Sequence, residues 1–352
     1  MGLQNMFLAL SIRRLKTGVS NGQLMRVFGG VALAFNTSIS SAYDDDVYLA
    51  TLSNNDIITV VNVSDRDGYD NQPHFAENDT VLLYTAMYDL ATDVHADGDS
   101  SAPKRQTDSM RYDIEQGTLV NLTNSVQSEY SPTITPDGDH VSVIRVAEDG
   151  RQLMYRFAYG TDEHSAPSSN SSNRQGKPVS GEVLLGDTYD VGYHTWLNND
   201  ELLLFVLGEK MQLKRARVSS GETALIDTDI GRTLRKVAVG DALDDRFSYT
   251  KAVDGQWQLK VYHRDLKSVS KHTVLPGANM YYAWHPNGSL LSADGAKVMI
   301  NANWQVETVP ASDTQWQQFA DFSQYCSGHI TRMVMSQDAS KLAFVCSVKD
   351  NQ

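Results

Sequence analysis

Ten polar or aromatic residues of ligand-binding types precede, at related offsets, a hydrophobic residue that recurs along the chain. They are Gln72, His74, Glu129, Tyr130, Tyr193, His194, Arg232, Tyr281, Tyr282 and Arg332. Tyrosine rings can stack on a ligand, and an arginine guanidinium can hold a carboxylate with two hydrogen bonds. Brought together, these side chains would form a polar, aromatic-lined pocket suited to a sugar, a peptide end or a carboxylate. Alternatively, they pack between structural units and hydrogen-bond one another around water.

Motifs of known catalytic machinery are missing from the sequence. There is no GxSxG nucleophile elbow, no HExxH zinc motif, no paired CxxC and no phosphate-binding loop. The nine histidines are scattered without the spacing of metal ligands. We therefore expect no metal and no cofactor, although His74 and His194 each stand beside a repeat position.

The recurring hydrophobic residue belongs to a repeat. In each copy it precedes a turn of the Pro-Asp-Gly kind and then an apolar strand. The six positions, with a mean spacing of 52 residues, are Phe75, Ile134, Trp196, Val239 (a degenerate copy), Trp284 and Met335. Such turns between apolar runs close antiparallel hairpins. Four-stranded units at a period of 40–60 residues predict an all-β protein, a six-bladed β-propeller with four antiparallel strands in each blade.

The two ends of the chain indicate how the ring closes. After Met335 a single strand remains, at residues 341–348, so the last blade lacks two strands. Two unassigned strands precede Phe75, at residues 47–52 and 56–63. We predict that these N-terminal strands pair into the last blade, because closure removes the exposed sheet edges. Two polar inserts, at residues 89–108 and 162–180, are predicted to be surface loops.

The two cysteines, Cys326 and Cys346, flank the last hairpin. A hairpin that turns at residues 337–340 sets Cys346 opposite Thr331, five residues from Cys326. At the rise of a strand that offset is roughly 15 Å, which is too far for a disulfide. We therefore expect no disulfide within this hairpin, unless the chain bends back before it.

The first 42 residues contain four basic residues and no acidic one. A short apolar run at 27–35 is followed by Ser40-Ser41-Ala42, which supplies small residues for cleavage before Tyr43. We predict a signal peptide over residues 1–42, within which 1–24 could be an upstream extension, and a single domain over 43–352. The alternative is a disordered or helical N-terminal arm. Cleavage would place the mature protein in the periplasm.

Charge and hydropathy restrict the partners. The chain has 30 Lys and Arg against 43 Asp and Glu, a net charge of −13, which argues against a nucleic-acid partner. No later stretch of 18 apolar residues could form a membrane span. We expect a monomer whose partner is a small molecule, a glycan or a protein.

Four segments resemble a known repeat: GYDNQPHFAEND, EYSPTITPDGDHVSVI, GYHTWLNND and YYAWHPNGSLL. They are similar to the repeats of the TolB-like (WD40-like) six-bladed propellers of bacterial periplasmic proteins, and the resemblance extends over residues 44–352. It implies a periplasmic propeller and nothing about substrate. The N-terminal α/β domain of TolB has no counterpart between Ala42 and the first strand, so no Tol–Pal role is implied.

Two functions are compatible with this sequence. We favour a periplasmic binding or scaffold protein without catalytic activity, which uses the mouth of its central channel or one flat face. The alternative is a lyase or hydrolase acting on a sugar polymer or a peptide-like substrate at the channel mouth. In that case His74, His194, Tyr193 and Arg232 would supply acid–base and charge-stabilising groups.

Overall fold

The computed structural model describes residues 44–89, 105–160, 180–237, 246–264, 267–304 and 316–348. Within these ranges the chain forms twenty-four strands and no α-helix. In chain order the strands are β1 Asp44–Ser53, β2 Asp56–Asn62, β3 Asp70–Ala76, β4 Val81–Asp89, β5 Arg105–Asp113, β6 Thr118–Asn121, β7 Glu129–Ile134, β8 His140–Val146, β9 Gln152–Ala158, β10 Gly181–Val183, β11 Val191–Trp196, β12 Glu201–Val206, β13 Gln212–Arg217, β14 Thr223–Thr228, β15 Ile230–Lys236, β16 Arg246–Val253, β17 Gln256–His263, β18 Ser268–Val274, β19 Tyr282–Trp284, β20 Leu290–Asp294, β21 Lys297–Asn301, β22 Gln317–Asp321, β23 His329–Met335 and β24 Lys341–Val348. No helical segment in these ranges could span a bilayer.

The repeated turn follows from its own side chains. In four copies an Asp or Asn side chain accepts a hydrogen bond from the backbone amide two residues later, at 2.9–3.0 Å. These acceptors are Asp137, Asn198, Asn287 and Asp338. This local bond fixes the turn and directs the chain back along itself, which is why the motif marks a hairpin in the sequence. The copy at Val239 lies outside the described residues.

The strands form six antiparallel sheets of four strands, so the predicted six-bladed propeller is confirmed. Blades 1 to 5 are β3–β6, β7–β10, β11–β14, β15–β18 and β19–β22. Blade 6 has the strand order β23, β24, β1, β2. Eight residues of β1, from Asp44 to Thr51, pair with β24. The prediction that the N-terminal strands complete the last blade is therefore also confirmed.

A hydrophobic cluster fills each of the six junctions between neighbouring blades. The cluster between blades 6 and 1 joins Val47 and Val345 to Phe75 and Leu82. The other five clusters join blades 1–2, 2–3, 3–4, 4–5 and 5–6 in turn. Burying one such side chain contributes roughly 1.5–3 kcal/mol. The ring is thus held at every junction, including the one that joins the two ends of the chain.

The predicted loop at 89–108 is wrong over its last four residues. Residues 105–108 belong to β5, and Gln106, Thr107 and Asp108 are at most 3% exposed. The Gln106 side-chain amide donates to the carbonyls of Ser125 and Gln127. Asp108 accepts from Asn121 and Thr123, and the Thr107 backbone amide donates to Ser128 Oγ. Because most of these buried polar groups have partners, a strand without an apolar pattern is stable there. Asp89 ends β4, and Ser180 is exposed and outside any strand. The remaining residues of the two inserts, 90–104 and 162–179, lie outside the described residues.

The expectation of no disulfide is also wrong, because Cys326 and Cys346 are bonded, with Cα atoms 5.6 Å apart. A β-bulge in β23 places Ile330 opposite Cys346. The chain then bends back, since the amides of Tyr325 and Cys326 both donate to the carbonyl of Phe322. A Cβ atom on Gly328 would lie 2.1 Å from the Ser347 carbonyl oxygen, so only glycine permits this close return.

Candidate functional site

The innermost strands of all six blades converge on one cavity in the central channel. These strands are β3, β7, β11, β15, β19 and β23, and the cavity has a volume of about 70 Å³. Its lining consists of Gln72, Pro73, His74, Ser131, Pro132, Thr133, Tyr193, His194, Arg232, Thr233, Leu234, Arg235, Tyr282, Arg332 and Met333. No Asp or Glu belongs to this lining. Since most of these residues stand near the middle of their strands, the cavity lies along the channel axis.

A bulge interrupts five of the six innermost strands at the level of the cavity. In β3 and β7 the bulge contains a residue in the left-handed region, Gln72 at φ 60° and Ser131 at φ 57°. Such a conformation is strained for residues other than glycine. Hydrogen bonds compensate, because the Gln72 Oε1 atom accepts from Thr85 Oγ1 at 2.5 Å and from the Ser131 amide at 3.1 Å. The bulges displace the side chains from regular alternation and turn several towards the axis.

Arg332, on β23, is held on several sides. Its two terminal nitrogens donate to Asn71 Oδ1 at 2.7 Å and to the Tyr193 hydroxyl at 2.5 Å. Its guanidinium carbon lies 5.1 Å from the centre of the Tyr193 ring and 4.8 Å from that of Tyr281. Cation–π contacts of this kind favour the charged form. These partners position the guanidinium without supplying a carboxylate.

Two further guanidiniums face the same cavity from β15. Arg235 donates to the carbonyl of Met333 at 3.1 Å, and burial lowers its pKa. Arg232 is exposed and has no hydrogen bond or ion pair within the described part of the chain. The cavity is consequently positive. Burial alone would raise the pKa of Tyr193, but Arg332 and Arg232 outweigh burial and lower it below its usual value.

The two histidines of the lining are neutral at pH 7. Burial lowers the pKa of His74 to about 4, assisted by the charge of Arg235. Burial also lowers the pKa of His194 to about 3, assisted by His74. His194 is anchored by a 2.8 Å hydrogen bond from its Nε2 atom to Ser142 Oγ, which also accepts from the Trp196 indole. The positive charge of the cavity therefore comes from arginine alone.

Seven of the ten residues singled out in the sequence line the cavity. These are Gln72, His74, Tyr193, His194, Arg232, Tyr282 and Arg332. Tyr281 stands behind them and contacts Arg332 through its ring. Tyr130 packs instead against the hydrophobic cluster between blades 2 and 3. Leu234 and Arg235 also line the cavity but were not among the candidates. In this degenerate copy the sequence places the repeat position at Val239, whereas β15 already ends at Lys236.

Glu129, like Tyr130, lies away from the cavity. Its Oε1 atom accepts from Ser125 Oγ at 2.6 Å and from Arg145 Nε at 2.9 Å, whereas its Oε2 atom is buried without a partner. Burial raises the pKa of Glu129 to about 7, although Ser125 and Arg145 act in the opposite direction. Glu129 thus belongs to the polar packing between blades 1 and 2.

The described residues contain no group of three His, Cys, Asp or Glu side chains that could hold a metal ion. The two histidines of the cavity are two ligands at most. A structural or catalytic zinc site normally needs three or four protein ligands. The lining therefore offers hydrogen-bond donors and aromatic faces rather than a metal centre.

Comparisons with known proteins agree on the fold. No protein-family profile and no curated protein sequence matches this chain. A solved structure of a putative TolB from Agrobacterium tumefaciens is similar with a TM-score of 0.54 at 10% identity, over 88% of this chain and 99% of that one. A chain of the nidogen/laminin complex has a TM-score of 0.51 at 10% identity, over 82% of this chain and 97% of that one. The predicted resemblance to TolB-like propellers is thus confirmed for the fold, and identities this low show nothing further.

Proposed function

We propose that this TolB-like propeller is a binding protein whose ligand occupies the cavity in the central channel. The observation that supports this is the convergence of all six innermost strands on one polar cavity lined by three guanidiniums. Pockets of this kind, concave and with a few convergent polar groups, are the usual sites for small ligands. The innermost strands fix the backbone of the lining, and Arg332 is held by Asn71 and Tyr193, so part of the site is ordered before a ligand binds.

Binding is favoured over catalysis by the chemistry of the lining. A lyase or hydrolase needs a general acid or base whose pKa is near the working pH. No carboxylate lines the cavity in the described residues, and the pKa values of His74 and His194 are near 4 and 3. Such histidines are weak bases at pH 7. Burial raises the pKa of Tyr193 while Arg332 and Arg232 lower it below its usual value, but the hydroxyl of Tyr193 is already engaged by Arg332. The lining thus favours holding a ligand over transferring its protons.

A methionine in the lining offers a direct test. Met333 lines the cavity, whereas Met154 is buried between blades 2 and 3. The purified protein, carrying ¹³C-labelled methionine methyl groups, would be screened by NMR against a library of neutral and charged small molecules. We expect some compounds to shift the Met333 signal and leave Met154 in place. If no compound moves Met333 selectively, the proposed function is wrong.

The proposal also places the protein in the periplasm, with the mature chain beginning near Tyr43. It is supported by the basic N-terminal region and by the small residues at Ser40-Ser41-Ala42. Edman or mass-spectrometric sequencing of the native protein from the periplasmic fraction should find an N-terminus at or near Tyr43. Recovery of protein with Met1 or Met25 at its N-terminus from the cytosol would contradict it.

A further inference from the structure

The charge of the cavity is unusual for this molecule. Elsewhere arginines are commonly paired with acids: Arg156 with Glu182, Arg111 with Glu77, and Arg217 with Glu201. The three arginines of the cavity have no such ion pair in the described residues, although the chain has 43 acidic residues against 30 basic ones. Unpaired cations in a half-buried site are unfavourable unless something compensates them. A bound anion would do so.

Two of the three guanidiniums differ in how firmly the protein holds them. Arg332 is fixed, because Asn71 and Tyr193 use two of its five N–H groups and two tyrosine rings flank it. Three donors remain for a ligand. Arg232 is exposed and has no protein partner, so its side chain is free to move onto a ligand. The fixed guanidinium of Arg332 and the mobile one of Arg232 can together bind an oxyanion, because an oxyanion accepts paired hydrogen bonds from guanidinium groups.

The rest of the lining limits the kind of anion. Pro73, Pro132, Leu234 and Met333 supply apolar surface beside the arginines. Inorganic phosphate or sulfate would gain nothing from that surface, whereas an organic acid can bury a short carbon chain against it. A water molecule needs about 10–15 Å³ of such space, so about 70 Å³ holds roughly five waters. A space of that size accommodates a small acid or the acidic end of a longer ligand.

We infer that the cavity binds an organic carboxylate, held by Arg332 and closed over by Arg232, with its short carbon chain against the apolar side of the lining. This inference rests on the proposed function, because it names the class of ligand for the same cavity. Among the ligands compatible with the sequence it selects a carboxylate, either as a free acid or as the end of a longer ligand.

Propionate and propionamide test the charge requirement, because they have the same shape and only propionate is charged. Each would be titrated into the protein in Tris buffer while the Met333 methyl signal is followed, with inorganic phosphate as a third probe. We expect propionate to bind at least about tenfold more tightly than propionamide, as hydrogen bonds to charged groups exceed neutral ones. We also expect propionate to bind more tightly than phosphate. Equal binding of acid and amide, or tighter binding of phosphate, would overturn the inference.

Three variants locate the binding. Arg232→Gln should weaken propionate binding about tenfold, and Arg332→Gln about 10- to 100-fold. Arg151→Gln is the matched control, because Arg151 is an exposed arginine outside the cavity, paired with Asp149; its effect should stay below about twofold. Should Arg332→Gln fail to fold, Arg232→Gln decides, since Arg232 has no partner to lose. An unchanged affinity in Arg232→Gln would overturn the closing role of that residue.

The Met333 signal distinguishes two negative outcomes. If neutral compounds shift Met333 while propionate does not, the cavity is a binding site for another class of ligand and the inference is wrong. If no compound shifts Met333, both proposals are wrong.

Discussion

Replacing Glu129 with glutamine should remove part of the pH dependence of the protein's stability. Glu129 is fully buried, and its pKa is about 7 in the folded protein against a usual value of 4.5. A group whose pKa is raised by folding stabilises the folded state fully below its unfolded pKa, and this stability is lost as the pH rises through the folded pKa. The relevant window is therefore pH 4.5 to about 7.

The size of the effect follows from the two pKa values. At pH 5 the folded protein holds the Glu129 proton and the unfolded chain has largely released it, whereas at pH 8 both have released it. The wild-type protein should therefore lose about 2.5 kcal/mol of unfolding free energy between pH 5 and pH 8 through this residue. Glutamine resembles the protonated acid at every pH and should not show this loss.

Urea denaturation of both proteins at pH 5, 6, 7 and 8 would measure the difference. The other titrating groups, such as Asp70, are common to both proteins and cancel. Glu182→Gln serves as the control, because that exposed carboxylate pairs with Arg156 at the surface. Parallel pH profiles for wild type and Glu129→Gln would contradict this prediction, since they would show that Glu129 is ionised in the folded protein throughout and forms an ion pair with Arg145.

Three further predictions follow from the fold and the cavity. Replacing Cys326 and Cys346 with serine should lower the unfolding free energy by about 3 kcal/mol, measured by urea denaturation, because the bond closes a loop of 20 residues; an unchanged midpoint would contradict this. Deleting residues 43–64 should expose the edge of β24 and cause aggregation in size-exclusion chromatography, whereas a monomer with unchanged melting would argue against the observed closure. The imidazoles of His74 and His194 should remain neutral in ¹⁵N NMR spectra down to about pH 5, and protonation near pH 6.5 would show that they are not buried as described.

The architecture was predictable because it depends on local signals. Asp137 and Asn287 fix their turns through bonds that span two residues, so each hairpin is visible in a short stretch of sequence. Ring closure was predictable because the last blade lacks strands and the N-terminus has two to spare. Neither prediction required knowledge of long-range contacts.

What the sequence did not reveal depends on such contacts. The strand character of 105–108 arises from hydrogen bonds between Gln106 and the chain leading into blade 2. The disulfide between Cys326 and Cys346 depends on a bulge in β23 and on the return of the chain at Gly328. Bulges of this kind change the register by one residue, and a one-residue change reverses which side chains face inward.

The residues of the candidate site were also predictable only where local spacing determines them. Counting three residues back from the repeat position identifies Gln72, Tyr193 and Arg332, because the bulges recur at the same level in these blades. In β7 the same count gives Ser131, which also lines the cavity, whereas Glu129 and Tyr130 stand five and four residues before Ile134, precede the bulge and lie away from the cavity. His194 reaches the cavity, but its bond to Ser142 gives it a structural role that its offset does not reveal.

A crystal structure of the protein soaked with propionate, grown from solutions free of other carboxylates, tests the central claim most directly. We expect carboxylate density within hydrogen-bonding distance of Arg332, with the Arg232 side chain against it and the ethyl group against Leu234 or Met333. The same density should be weaker in crystals of Arg232→Gln soaked at the same propionate concentration, because binding is then about tenfold weaker. A cavity that holds only water in the propionate-soaked wild-type crystal would contradict carboxylate binding at this site.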